Sequence, residues 1–85
     1  MEVIAQLNHY LEQMLECVET TDRERYFKLN MAYSGLMDKT FIVINSELER
    51  NYDAIRNSIA ACLTFPSLKE KELPKVREFL DKNKQ

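Results

Sequence analysis

The sequence has little glycine, proline, histidine and tryptophan. Its 85 residues include one glycine, two prolines, one histidine and no tryptophan. Most β-sandwiches, small barrels, phosphate-binding loops and dinucleotide folds need glycine at positive φ or at a close backbone approach, so this scarcity excludes most of them. No apolar run approaches the ~18 residues of a membrane span, and Met1-Glu2 is not a basic signal-peptide start. We therefore expect a helical, cytoplasmic protein with no membrane contact.

The chain is short, and its composition indicates one folded domain over residues 1–85. Hydrophobic residues make up 45% of it, which is too much for an intrinsically disordered chain. A chain of this length buries only about 60–65% of its unfolded surface, so its own core stabilises it by a few kcal/mol. Cys17 and Cys62 each stand among apolar residues at helical spacing. We expect both thiols to be reduced and buried.

Charge is unevenly distributed along the chain, although the net charge is only −2. Residues 1–22 carry five acidic side chains and no lysine or arginine, whereas residues 23–39 carry four basic side chains. An acidic segment followed by a basic one favours antiparallel docking of two helices. Exposed ion pairs contribute ~0–1 kcal/mol each, so they orient the helices and do not drive folding.

Apolar residues recur at helical spacing in the first segment and predict a helix over about residues 2–19. They stand at Ile4, Leu7, Leu11, Met14 and Val18. Thr21 followed by Glu24 matches a capping box, so a second helix is expected to begin at about residue 22. A link this short makes the two helices an antiparallel hairpin.

We expect the second helix to extend over about residues 22–64, continuous or merely kinked, with a true break near 34–46 as the alternative. One unbroken helix over 22–64 would be ~64 Å long, far longer than the first helix can cover. Two places could interrupt it. Ser34-Gly35 suits a kink or a C-cap. Ser46 with Glu49 matches a second capping box, so a new helix could begin there.

Two prolines mark the end of this pattern and the start of a last helix. Pro66 cannot continue the hydrogen-bond ladder and biases the preceding residue away from the α region. Pro74 fits the first position of a helix over about residues 74–83. The predicted fold class is all-α: a small helical bundle built on an antiparallel helical hairpin, with a short C-terminal helix.

Four consecutive β-branched or aromatic residues, Phe41 to Ile44, stand within the second pattern. Propensity favours a strand, but a single strand in a helical chain would have no partner. As a helix, the run is apolar around its whole circumference and must be enclosed by other helices or by another chain. Because only two other helices are predicted, we expect a protein interface. Its predicted centre comprises Met37, Phe41, Ile42, Val43 and Leu48.

The residues give little support to catalysis, a metal or a cofactor. His9 is the single histidine, and Cys17 lies ~12 Å further along the same helix, too far for a nucleophile–base pair. Cys62 could approach only through tertiary packing. His9, Glu12 and Glu16 share one helical face, but di-iron sites in bundles need Glu-x-x-His on two helices and further carboxylates. We expect a solvated acidic face, no cofactor and no enzymatic activity.

Two further sets of residues have both an ordinary and a functional interpretation. The basic residues after Ser67 are interleaved with acidic ones, which weakens the field that phosphate recognition requires. Tyrosines and methionines on or beside the apolar stripes suit either a core or an interface. This second set comprises Tyr10, Tyr26, Tyr33, Tyr52, Met14, Met31 and Met37.

These features together predict a non-catalytic protein-interaction module without a small-molecule substrate. An exposed apolar helix face would sequester, escort or inhibit a larger protein, as secretion chaperones, antitoxins and immunity proteins do. That likeness is one of size and class, and no motif carries it. The alternative is a structural homodimer in which the same face meets its own copy. A nucleic-acid accessory protein acting through residues 67–85 is the weaker alternative.

Overall fold

The chain is described by a computed structural model over residues 3–40 and 46–83. These residues form four helices, α1 (Val3–Thr20), α2 (Arg23–Thr40), α3 (Ser46–Thr64) and α4 (Lys69–Lys82), with a 3₁₀ turn over Pro66–Leu68 before α4. No strand is present in the described residues, so the all-α prediction is confirmed. None of these helices is long and apolar enough to cross a membrane.

The first helix packs its predicted apolar stripe against the rest of the bundle. Leu7, Leu11, Met14 and Val18 are buried on α1, while its acidic residues remain exposed. The helix is described from Val3, the first described residue, and ends one residue later than the sequence predicts. α1 packs closely on α2, and Arg25 of α2 pairs with an exposed carboxylate of α1. The predicted hairpin of the first two helices is therefore present.

The turn between α1 and α2 is a Schellman motif rather than the predicted capping box. The Thr21 amide donates to the Val18 carbonyl at 3.3 Å, and the Asp22 amide donates to the Cys17 carbonyl at 2.9 Å. Thr21 has φ 56°, the left-handed conformation that ends the helix. Asp22 then caps α2, because its Oδ1 accepts from the Arg25 amide at 3.1 Å. The cap is one residue later than expected because Thr21 is used to terminate α1.

We expect Thr21→Gly to raise the free energy of unfolding by about 1 kcal/mol. A β-branched residue at positive φ is strained by its Cβ, and glycine removes that strain. Urea unfolding followed by far-UV circular dichroism measures the change. Thr21→Ala is the matched control: it keeps a Cβ and should give little gain. A glycine variant no more stable than the alanine variant would contradict the strain.

The second and third helices are separate and run antiparallel, so the expected continuous or merely kinked helix over 22–64 is wrong. The Arg23 guanidinium donates to the Leu63 carbonyl at 3.3 Å. Arg56 donates to Asn30 Oδ1 at 3.4 Å, which continues the same antiparallel register. The molecule measures 35 Å along its longest axis, about half the length of the unbroken helix. Residues 41–45 lie outside the described part of the chain.

The last helix begins at Lys69, five residues before the predicted start at Pro74. Phe65, with φ −126° and ψ 88°, leaves the helical region before Pro66, as the sequence predicts. Pro74 lies inside α4 and removes one backbone hydrogen bond. Helix-forming residues over 69–73 and the packing of Leu73 against the core outweigh that loss.

The two hairpins, α1–α2 and α3–α4, pack into one bundle through α1 and α3. Along α3–α4, Ser58 donates to Glu72 at 3.1 Å, and the rings of Tyr52 and Phe79 meet edge to face at 5.0 Å. The core draws on all four helices. Its fully buried side chains include Leu7, Leu11, Met14, Val18, Tyr33, Tyr52, Ile59, Cys62 and Val76.

Asn8 joins three helices through a buried polar network. Its side-chain amide donates to the Asn83 carbonyl at 2.9 Å, just after α4. Its Oδ1 accepts from the Tyr52 hydroxyl of α3 at 2.7 Å. Asn83 in turn donates to the Phe79 carbonyl at 2.8 Å and closes the end of α4. Directional bonds of this kind fix how α1, α3 and α4 are aligned, which apolar packing alone specifies less tightly.

Candidate protein-interaction face

The five residues predicted to form the centre of a protein contact fall into two groups. Phe41, Ile42 and Val43 lie outside the described residues. Met37 is only 5% exposed and belongs to the core, and Leu48 is half-buried and packs against that core. Met37 is therefore not part of an exposed surface: it lies on the inner side of α2, in phase with Tyr33 one turn earlier.

A different part of α2 exposes large apolar side chains. Phe27 is 63% exposed and Met31, one turn later, is 60% exposed. At 3.6 residues per turn they lie on the side of the helix opposite the buried Tyr33. We call this side the α2 outer face; its exposed residues are Glu24, Phe27, Lys28, Met31, Gly35 and Asp38. α2 is thus apolar on its inner side and partly apolar on its outer side.

Gly35, the single glycine of the chain, lies in the middle of this face. It is inside α2, which continues to Thr40, so the interpretation of Gly35 as a C-cap is wrong. Its φ is not positive, and nothing lies within 4 Å of where a Cβ would stand. Neither backbone conformation nor packing within the described residues requires glycine here. Gly35 leaves a notch on the exposed surface beside Met31.

Gly35→Ala is expected to stabilise the isolated chain by about 1 kcal/mol. Alanine restricts the unfolded backbone and has the highest helix propensity, and the added methyl enters open space. Chemical denaturation at low protein concentration measures the gain. Ser34→Ala, at the neighbouring exposed position, should give about half as much. A loss of stability on Gly35→Ala would show that the methyl meets a neighbour.

The inner side of α2 is packed mainly by apolar side chains. Within the described residues, the buried Tyr33 hydroxyl has no hydrogen-bond partner. The Tyr26 hydroxyl forms no hydrogen bond of good geometry, although the Arg56 guanidinium lies near enough to offset part of the rise that burial gives its pKa, by charge and hydrogen bonding. Burial raises the pKa of both phenols; the charge of Asp53 adds to the rise at Tyr33, and the charge of Arg56 partly offsets it. Apolar contacts therefore hold the inner side of α2 against the core. These contacts determine which residues of α2 are exposed.

The sequence did contain a signal for the α2 outer face. Phe27 and Met31 are out of phase with the inner stripe of Tyr26, Leu29 and Tyr33. Composition alone grouped Met31 with Met14 and Met37, which are both buried. Helical phase separates Met31 from them, and with Phe27 four residues earlier it marks a second apolar side of α2.

An acidic cleft of about 370 Å³ separates α1 from α4. Arg77 of α4 pairs with Glu19 across it at 2.6 Å, and Glu16 at its edge pairs with Arg25 at 3.5 Å. Leu15 and Leu80 form its apolar lining. These ion pairs join α1 to its neighbours. No group of three or more metal-ligating side chains occurs within residues 3–40 and 46–83.

The imidazole and the two thiols have very different surroundings. His9 is exposed on α1 beside Gln13, in a shallow groove. Cys17 and Cys62 are free thiols with no exposed surface, as the sequence predicts. Desolvation by burial raises the pKa of both thiols, so they stay protonated near neutral pH.

The basic residues of α4 are partly engaged by carboxylates. Arg77 pairs with Glu19 of α1, and Lys75 lies 3.9 Å from Glu72 one turn earlier. Lys71 and Lys82 are exposed, next to the acidic residues that separate them from the other basic side chains. The surface of α4 is therefore mixed in charge.

No protein-family model, no curated protein and no solved structure matches this chain. Its function is therefore inferred from its own residues and their arrangement.

Proposed function

We propose that this protein is a non-catalytic interaction module that binds a protein partner through the α2 outer face. The observation that carries the proposal is the exposure of Phe27 and Met31, at 63% and 60%, one turn apart on a helix whose opposite side is buried. A larger protein bound there would be sequestered, escorted or inhibited, whereas a second copy bound there would make the chain a structural homodimer.

The energetics of exposure support an interface. Burial of a Phe or Met side chain contributes about 1.5–3 kcal/mol, so two such side chains side by side give a substantial part of a binding free energy. Aromatic side chains and methionine are enriched at interfaces, and methionine adapts its shape to the surface it meets. The charged residues around them, Glu24, Lys28 and Asp38, supply the polar rim that protein interfaces have.

The surroundings of the reactive side chains support a non-catalytic role. Nucleophilic catalysis by cysteine requires an accessible thiol with a lowered pKa and a base close to it. Cys17 and Cys62 are buried, their pKa values are raised, and the exposed His9 is the single histidine.

Site-specific photocrosslinking in the cells that produce the protein tests the proposed face. A photoreactive phenylalanine replaces Phe27 in one variant and the exposed Lys71 of α4 in another. We expect one discrete crosslinked protein species from position 27 and none from position 71. A crosslinker at the neighbouring exposed Ala32 should give the same species in the natural chain and lose it in the double variant F27S/M31S, whose helicity should persist.

The control position makes the result decisive. Equal crosslinking from both positions would show non-specific contact, and no discrete species from position 27 would show that the α2 outer face has no protein partner. Either result contradicts the proposal. Retention of the species by F27S/M31S would contradict the role of the two apolar side chains.

The run of Phe41, Ile42 and Val43 directly follows α2 in the sequence, and its role in the contact stays a prediction. We expect Val43→Glu to abolish partner binding while far-UV circular dichroism shows that helicity persists. Binding is measured by the same crosslink from position 27. Loss of helicity in V43E would instead assign Val43 to the core.

A further inference from the structure

We infer that the α2 outer face binds a second copy of this chain, with two α2 helices antiparallel and Met31 of each copy in the Gly35 notch of the other. The inference rests on the proposed function, since it names the occupant of the same face. It deepens that proposal by fixing the partner, the direction and the register.

Gly35 lies where the α2 outer face allows a close approach from outside the chain. Glycine weakens an exposed helix, and here neither φ nor a neighbour within the described residues calls for it. A close approach from outside the chain gives it a reason, because a missing Cβ allows another helix to come nearer. Met31, one turn away on the same face and 60% exposed, is a flexible side chain suited to fill such a notch.

Charge complementarity selects the second copy as the occupant. When two α2 helices cross antiparallel with Met31 opposite Gly35 of the other copy, Lys28 is opposite Asp38 of that copy. The two-fold axis generates this pair twice. Lys28 and Asp38 are both exposed, and neither forms an ion pair within the described residues. The α2 outer face is therefore complementary in charge to the same face of a second copy.

Other arrangements of the same two helices place like charges together. A parallel symmetric pair sets Lys28 against Lys28 and Asp38 against Asp38 of the other copy. An antiparallel pair shifted by one turn, with Met31 against Met31, sets Glu24 against Asp38. Like charges in direct opposition disfavour an interface, so the register with Met31 at Gly35 is preferred.

The contact is small, which sets the concentration range of the experiment. One helix face of about four turns lies at the low end of specific interfaces, and such interfaces dissociate at micromolar or higher concentration. Sedimentation equilibrium of the full chain between about 5 μM and about 1 mM covers this range. We expect the mass to rise with concentration towards twice the 10.1 kDa of one chain.

Two charge-reversal variants test the register. K28D and D38K each place like charges at both symmetric positions, so each alone is expected to raise the dimer Kd at least about tenfold. An equimolar mixture of the two restores opposite charges at both positions, and we expect it to associate about as tightly as the natural chain. K71D, on α4, is the matched control and should not change the Kd. Far-UV circular dichroism verifies that all variants fold.

Gly35→Ala tests the notch with a readout that is separate from charge. It stabilises the single chain but fills the notch, so its dimer Kd should rise at least about threefold while K71D leaves the Kd unchanged. A fold defect cannot produce a more stable chain with a weaker dimer.

The outcomes separate this inference from the proposed function. A natural chain that stays at 10.1 kDa up to the highest concentration overturns the inference, as does a mixture of K28D and D38K that fails to regain association. If position 27 then crosslinks to a different protein, the proposed function stands and the second copy is excluded. If position 27 crosslinks to nothing, both are wrong.

Discussion

Leu11→Ala is expected to lower the free energy of unfolding by about 3 kcal/mol. Leu11 has no exposed surface and lies in the middle of the buried stripe of α1, where α2, α3 and α4 enclose the core. Truncation removes the transfer free energy of the lost methyl groups and leaves a cavity that a packed core closes only partly. For a chain of this length the loss is a large fraction of the total stability.

Thermal and urea unfolding at a fixed, low protein concentration measure this effect. We expect the Tm to fall by more than about 10 °C, because each kcal/mol shifts the Tm of a small domain by about 4–8 °C. Met31→Ala is the matched control, since it truncates a large apolar side chain that is exposed on the α2 outer face. Its Tm should stay within a few degrees. A similar loss in both variants would place Met31 in the core and contradict the outer face.

Tyr52→Phe is expected to cost about 1–3 kcal/mol although it removes a single oxygen atom. The Tyr52 hydroxyl donates to Asn8 Oδ1 at 2.7 Å, and Asn8 is buried. Its loss leaves that oxygen without a donor in a water-poor interior, which costs the full desolvation of the group. The remaining bond from Asn8 to Asn83 then holds α1 to α4 without the link to α3.

Tyr33→Phe is the same chemical change at a site where the hydroxyl has no hydrogen-bond partner among the described residues. Removal of a buried, unpaired hydroxyl should leave the stability within about 0.5 kcal/mol or raise it slightly. Urea unfolding of the two variants side by side measures the difference. A cost at Tyr33 equal to that at Tyr52 would contradict the network through Asn8.

Helix termination shows how sequence signals compete. Thr21 and Asp22 each suit an N-cap, and the sequence pattern favoured Thr21 because Glu24 completes a capping box with it. The structure uses Thr21 to end α1 and Asp22 to begin α2. A capping pattern describes one helix end, whereas a two-residue link must satisfy two ends at once, so the choice depends on both helices.

Apolar periodicity could not predict that the chain reverses direction between α2 and α3. Apolar spacing is the same in one long helix and in two helices joined end to end. α3 is described from Ser46, where the sequence has the second capping-box pattern. Ser34-Gly35, which suited a helix end equally well, lies within α2. What decides between them is the core: folding α3 back on α2 and α1 encloses the apolar stripes of all three.

Local spacing and backbone chemistry were enough to predict the helical class, the buried stripe of α1, the helix end before Pro66 and the burial of both cysteines. Packing between the helices encloses Met37 and leaves Phe27 and Met31 exposed. Three large apolar residues on one helix look alike in composition. Helical phase within the sequence separates Met37 from Phe27 and Met31. Which of the two sides of α2 loses contact with water is set by the neighbouring helices once the bundle has formed.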